Sequence, residues 1–208
     1  MARLFPMFPL NLVVFPGERL RLHIFEPRYR QLIGECLAEE KTFGIPTIID
    51  KKLMGMGTEV KIISLDKKYG GGEMDISTEG LRRLEVKSFY EKAPDKLYSS
   101  AEIEWLETEE VFDETLRQEV KKLLSKLHYA LGISKKLSDS RFLTYEMAHH
   151  VGFSINQEYE LLTINTEADR LKFFKRHLET ILPVVMETER LKARAKLNGH
   201  YKNVIPPK

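Results

Sequence analysis

Hydrophobic and polar residues change rhythm twice along this chain. From Phe8 to Phe15 the run FPLNLVVF is almost wholly apolar and reads as extended; it turns at Pro16-Gly17. Leu20, Leu22 and Ile24 then alternate with Arg19, Arg21 and His23, a period of two that predicts a strand with one buried face. Glu26-Pro27 breaks the alternation. Proline can open a helix, because its missing N–H would be unpaired there anyway. Tyr29, Leu32, Ile33, Cys36 and Leu37 follow at helical spacing, one apolar stripe of a helix over about 26–40.

The period of two then returns. Residues 43–49 read as a strand, with Pro46 placing it at an edge or a bulge. Residues 51–57, with two glycines and Met54 and Met56, read as a loop; paired methionines there more often pack back onto a barrel than form a binding surface. Strands are expected over 58–66, 74–78, 81–90 and 98–106, with a hairpin tip at 67–73 and a tight break at Glu79-Gly80. In the last, Ala101, Ile103 and Trp105 share one face and Glu102 and Glu104 the other. Six or seven short strands so spaced are the pattern of a closed or nearly closed barrel.

Past an acidic connector at 107–110 the period becomes helical. Leu116, Val120, Leu123, Leu124, Leu127 and Leu131 form a stripe that ends near Gly132. A polar loop at 135–140 precedes a second helix over 141–151, closed by Gly152. Ser154 and Gln157 form a capping box opening a short helix through Leu162. Thr166 and Asp169 are a weaker version before the longest helix, which carries Leu171, Phe174, Leu178, Ile181, Leu182 and Val185 toward Leu197. Pro183 should kink or divide that helix. The reading is an α+β chain, with a strand-rich domain over 1–108 and a helical domain over 109–208 that ends in a mobile tail.

Composition narrows the function. The chain has 208 residues and 42% hydrophobic content, enough for a real core, and its net charge of +2 is small, with neither half electrostatically biased. Neither half is an obvious binder of polyanions, so nucleic acid is not an expected partner. The one cysteine, Cys36, excludes an internal disulfide and fits a reduced, cytoplasmic setting; its place on the helix stripe reads as core. Pro6, Pro9 and Pro16 argue against a signal peptide, and no uncharged run nears the ~20 residues of a membrane helix. The basic run from Arg190 onward reads as a solvated helix end with cations favourable to its dipole, in preference to an arm for an acidic partner.

No catalytic chemistry stands out. No glycine is followed by lysine, as a phosphate-binding loop requires, and Gly70 to Gly72 sit at a hairpin tip, not between strand and helix. There is no G-x-S-x-G elbow, and no histidine is followed by glutamate. His149 and His150 are adjacent, so on a helix they point about 100° apart and would not readily share a metal. No catalytic residue, metal or cofactor is therefore expected.

The opening segment FPLNLVVFPGERLRLHIFEPRYRQLI resembles the start of the Lon protease N-terminal domain family, also called the Lon substrate-binding domain. The matching features are the apolar-Pro-Leu opening, the VVFPG turn, the alternation after it and the E-P-R-Y helix start. Gly57-Thr58-Glu59-Val60 and Glu79-Gly80-Leu81-Arg82-Arg83-Leu84 resemble two further landmarks. The likeness covers about 5–105 well and continues more loosely to about 197.

The resemblance implies a PUA-like β-barrel followed by a helical bundle. It implies a module that binds unfolded or exposed polypeptide segments, here in a stand-alone form without the ATPase and protease modules, working as an adaptor with a separate protease or ATPase. Phe15, Pro16, Phe25, Glu26, Arg28 and Tyr29 cluster at the turn and helix start and are the candidate substrate-binding residues, beside a groove expected between barrel and bundle. The same six could instead hold the hairpin to the helix, with Glu26 and Arg28 in a local ion pair. Two other functions stay open: RNA binding, by analogy with other PUA-like folds, and peptidase activity inherited from the parent family. Casein incubated with the protein is expected to stay intact on a gel, with or without ATP; ATP-independent cleavage would overturn the non-catalytic reading.

Overall fold

The computed structural model of the chain describes residues 4–107, 111, 113–134, 137 and 143–201, with side chains described to residue 196. Strands β1 (Phe5–Met7), β2 (Arg19–Ile24), β3 (Phe43–Ile49), β4 (Lys52–Lys68), β5 (Met74–Tyr90) and β6 (Ser99–Leu106) form one sheet in the order β2-β5-β4-β3-β1-β6. Strand β5 pairs with β6 as well as with β4, so the sheet curls into a partial ring. All pairings are antiparallel except the short one of β1 with β3.

Helix α1 (Pro27–Glu39) follows β2. Its stripe lays Tyr29, Leu32, Ile33 and Cys36 into a cluster with Phe8, Phe43, Ile45 and Ile76, while Leu37 at the edge of the stripe stays 37% exposed. The other helices are α2 (Glu114–Ala130), α3 (Leu143–Met147) with a turn of 3-10 helix at Ala148–His150, α4 (Ile155–Thr163) and α5 (Glu167–Tyr201). The chain divides into two compact units: Met1–Glu109 with Tyr145–Asn165, and Glu110–Thr144 with Thr166–Lys208.

Three strand expectations change. The first strand lies at Phe5–Met7, not over residues 8–15, where only Leu10 makes a bridge, to Thr47. Val13, Val14 and Phe15 belong to no strand but are buried as core, at 1%, 1% and 0% exposure. Residues 52–57 belong to β4, because Asp50 and Lys51, with φ of 49° and 64°, make the tight hairpin themselves. Positive φ at both central residues matches the right-handed strand twist, but without glycine or asparagine there the sequence carried no such turn signal. The expected bulge at Pro46 is present, as a register shift between Pro46 and Ile48.

Glu79-Gly80 is not a break, since β5 runs unbroken through it. Gly80 is needed for close approach. Gly17 N–H donates to the Gly80 carbonyl at 2.8 Å and Gly80 N–H to the Glu18 carbonyl at 2.9 Å. A Cβ on Gly80 would overlap the Phe15 carbonyl, and one on Gly57 would overlap the Ile45 carbonyl and Pro46. Glycine inside a strand often marks such an approach.

The segment from Tyr145 to Asn165 groups with the strands through named contacts. Phe15 stacks on Tyr145 at 5.2 Å. Tyr159 Oη accepts from Met56 N–H at 3.1 Å. Arg83 on β5 is fully buried; its Nη1 donates to the Leu162 and Ile164 carbonyls, both at 3.1 Å, and its Nη2 to the Glu107 carbonyl at 3.0 Å and Asn165 Oδ1 at 3.2 Å. The capping box of Ser154 and Gln157 opens α4 as expected.

In the second unit α2 buries Val120, Leu124 and Leu127, and α5 buries Leu171, Phe174, Leu178 and Leu182. Asp113 caps α2, and Gly132, at φ 68°, lies just past its end. A buried ion pair joins Arg170 Nε to Glu167 Oε2 at 3.0 Å, and Thr144 Oγ1 donates to the same carboxylate oxygen at 2.6 Å. Helix α5 continues through the exposed Pro183 and is not divided there. The second helix, α3, gives way to the 3-10 turn after Met147, and residues 141–142 of its expected start lie outside the described residues. Most of the loop read at 135–140, most of the acidic connector and the tail beyond 201 lie outside the described residues.

Gly80→Ala is expected to cost about 2–3 kcal/mol in urea unfolding, as overpacking against backbone does. Gly55→Ala, whose Cβ would meet nothing within 4 Å, should change little.

Candidate functional site

The six residues singled out in the sequence fall into two groups. Phe15 is buried between Tyr145 and His149, each ring 5.2 Å away, and Pro16 beside it is half-buried. Phe25, Glu26, Arg28 and Tyr29 gather at the start of α1. Glu26 is the residue before the helix, and its backbone carbonyl accepts from Tyr29 and Arg30. Its carboxylate accepts from Arg28 Nε at 2.9 Å and pairs with Nη2 at 2.8 Å. Both partners are well exposed, so this pair contributes little to stability. The Arg28 guanidinium lies 4.5 Å over the ring of Tyr29, which is buried and stacked on Phe8 at 3.8 Å. Only Phe25 offers a large apolar surface to solvent, at 60% exposure.

A larger opening lies elsewhere on the same unit. A groove of about 830 Å³ runs along β1, β6 and the end of α1. That is ample for several side chains. Its apolar wall is Phe5, Pro6, Ile103 and Trp105, all partly buried. Phe5 meets Trp105 edge to face at 5.1 Å, and β1 is held to β6 in the register Phe5↔Ala101 and Pro6↔Ser100. Two strands a hundred residues apart in sequence thus supply one wall. The sequence placed Trp105 on a strand face, but nothing local pairs it with Phe5.

Ion pairs brace the groove. Arg82 stacks on Trp105, its guanidinium 3.8 Å from the ring, and donates through Nε to Glu59 Oε2 at 2.6 Å. Thr42 Oγ1 donates to the other Glu59 oxygen at 2.6 Å. Glu35 on α1 accepts from Lys96 Nζ at 2.9 Å, Tyr98 Oη at 2.7 Å and Gln31 Nε2 at 3.0 Å. Burial opposes the Glu35 charge, but these three donors outweigh it and hold the carboxyl below its usual range. Tyr98 moves the opposite way, pushed up by burial and then by the Glu35 carboxylate. Cys36 also lines the groove; burial pushes its thiol up to about 11, so it carries no thiolate near neutrality.

Among the described residues no three His, Cys, Asp or Glu side chains gather as a metal site, and no helix is long and apolar enough to cross a membrane. The arrangement offers an apolar surface with fixed polar edges. That suits binding of a chain or side chain.

The family description "ATP-dependent protease La (LON) substrate-binding domain" fits residues 5–180. The chain is similar to the crystal structure of a Lon N-terminal domain protein from Xanthomonas campestris, at 25% identity and a TM-score of 0.64, over 82% of this chain and 95% of that one. It also shares its fold with the N-terminal domain of Mycobacterium avium complex Lon protease, at 19% identity and a TM-score of 0.68, over 85% of this chain and 98% of the other. No curated protein matches it.

One histidine lies in an unusual setting. His149 Nδ1 is 2.7 Å from Glu158 Oε1, and Nε2 is 3.3 Å from Glu18 Oε2. The same Glu18 oxygen accepts from Phe15 N–H at 2.8 Å. Both ring nitrogens face carboxylates, which requires the doubly protonated ring. The Glu18 hydrogen bond raises its pKa most; burial opposes, and Glu158 adds to the rise, to about 9. The unfolded value is about 6.5. The folded state therefore holds the proton more tightly. The resulting stability is fully present below about pH 6.5 and is lost as pH rises through about 9. The urea midpoint of the wild type is expected to fall across that window relative to His149→Gln; parallel pH profiles would exclude the clasp.

Proposed function

The chain belongs to the substrate-binding domain family of the ATP-dependent protease La, Lon, and on that premise we propose that it captures exposed apolar segments of other polypeptides in the groove walled by Phe5, Pro6, Ile103 and Trp105. The supporting observation is that a partly buried aromatic pair lines a braced, open groove on a single compact unit. Large apolar side chains left in contact with water are what an exposed segment of a misfolded protein can cover.

The expected affinity is modest. Burying one or two apolar side chains contributes roughly 1.5–3 kcal/mol each, before the cost of ordering the segment. That places the interaction near the millimolar range, suited to transient capture and release. The residues at the start of α1, above all the exposed Phe25, extend the capture surface in this reading. The module performs no cleavage itself and serves as an adaptor that passes captured polypeptide to a separate protease or ATPase. The carboxylates around the groove disfavour RNA as its occupant.

Trp105 is the chain's one tryptophan and reports directly on the site. A tryptophan-free unfolded polypeptide should shift its emission saturably, while the same polypeptide folded should not. By anisotropy of a labelled polypeptide, Trp105→Ala is expected to weaken binding about tenfold, as loss of an aromatic anchor does, with Trp105→Phe recovering most of it. Unchanged binding in Trp105→Ala would move the site elsewhere.

A further inference from the structure

We infer that the groove selects polypeptide segments in which an apolar side chain is flanked by lysine or arginine; this deepens the polypeptide-binding reading above and rests on it. The lining residues include four carboxylates, Glu35, Glu39, Glu40 and Glu59, against two lysines, Lys41 and Lys96. Three of the four are already matched: Glu35 by Lys96, Glu39 by Lys41 and Glu59 by Arg82. Glu40 has no ion pair among the described residues and carries the unmatched charge at the rim.

Glu40 stands where another residue would suit the fold better. It ends α1 in the left-handed region, at φ 52° and ψ 39°, with its N–H donating to the Cys36 carbonyl. Glycine is favoured at such a helix end because a Cβ is strained there. A carboxylate is thus held at the mouth of the groove at a cost to stability. The lining adds a second signal: Ser100 lines the groove, is 1% exposed, and its hydroxyl meets no partner among the described residues. The site therefore pairs an apolar wall with an unpartnered buried hydroxyl and an unmatched anion. An apolar side chain covers Phe5 and Trp105 while a neighbouring cation meets Glu40. An acidic flank would instead face like charge.

Three peptides of equal length test this by Trp105 emission. They share one apolar, tryptophan-free centre and carry lysine, glutamate or glutamine flanks. At low salt the lysine-flanked peptide should bind about fivefold tighter than the glutamate-flanked one, and the gap should close at ~0.5 M salt as screening shortens. Glu40→Gly should raise the melting temperature yet narrow the gap to below about twofold. Glu40→Gln, which keeps the backbone, should narrow it equally. Equal affinities for the three peptides, a preference for glutamate, or a gap unmoved by both Glu40 variants would overturn the charge selection while leaving apolar capture standing. No binding of any peptide would overturn both.

Discussion

Arg83 is the residue on which the first unit depends. Its guanidinium is fully buried, and it donates to the carbonyls of Leu162 and Ile164 at the end of α4, to the Glu107 carbonyl at the end of β6, and to Asn165. Moving a guanidinium out of water costs several kcal/mol unless its donors are filled. Here the unsatisfied carbonyls of a helix C-terminus fill them, and those carbonyls carry partial negative charge that favours a cation. One side chain thus satisfies the end of α4 and the end of the last strand together. It explains why a short helix remote in sequence belongs with the strands.

That anchoring is repeated at the other end of the same segment. Tyr145 stacks on Phe15, and His149 bridges Glu18 and Glu158. The turn at Pro16-Gly17 is gripped from its other side by Gly80, whose missing side chain lets two backbones meet. A motif that reads as a simple hairpin therefore has its contacts saturated on both sides. Phe15 and Tyr29 are core residues with little surface left to offer.

The groove is built on the opposite principle. Its apolar residues are left half-covered, and the polar groups around them are fixed. Arg82 is stacked on Trp105 and tied to Glu59, while Glu35 draws Lys96, Tyr98 and Gln31 together. Side chains already held in place lose little freedom when a partner arrives, which favours binding by an otherwise small surface. The strained Glu40 and the unpaired Ser100 hydroxyl lie at this one place, where local rules of stability give way to recognition.

The local pattern determined much of this protein by itself. Alternation marked β2 and β6, helical spacing marked α1, α2 and the first half of α5, and Ser154 with Gln157 marked the start of α4. Such features depend on neighbours within a few residues, so they can be read from the chain. The order of short motifs from Phe8 to Leu84 was enough to indicate the family. Only the tertiary structure decided that Gly80 lies within a strand, that Asp50 and Lys51 make a tight turn, and that α4 packs with the strands. The same holds for the meeting of Phe5 with Trp105 to make a wall. The turn is set by two positive φ angles that no glycine or asparagine announced, and each of the others rests on a contact between residues tens to about a hundred positions apart. Periodicity reports which face a residue buries, but not which distant segment covers it.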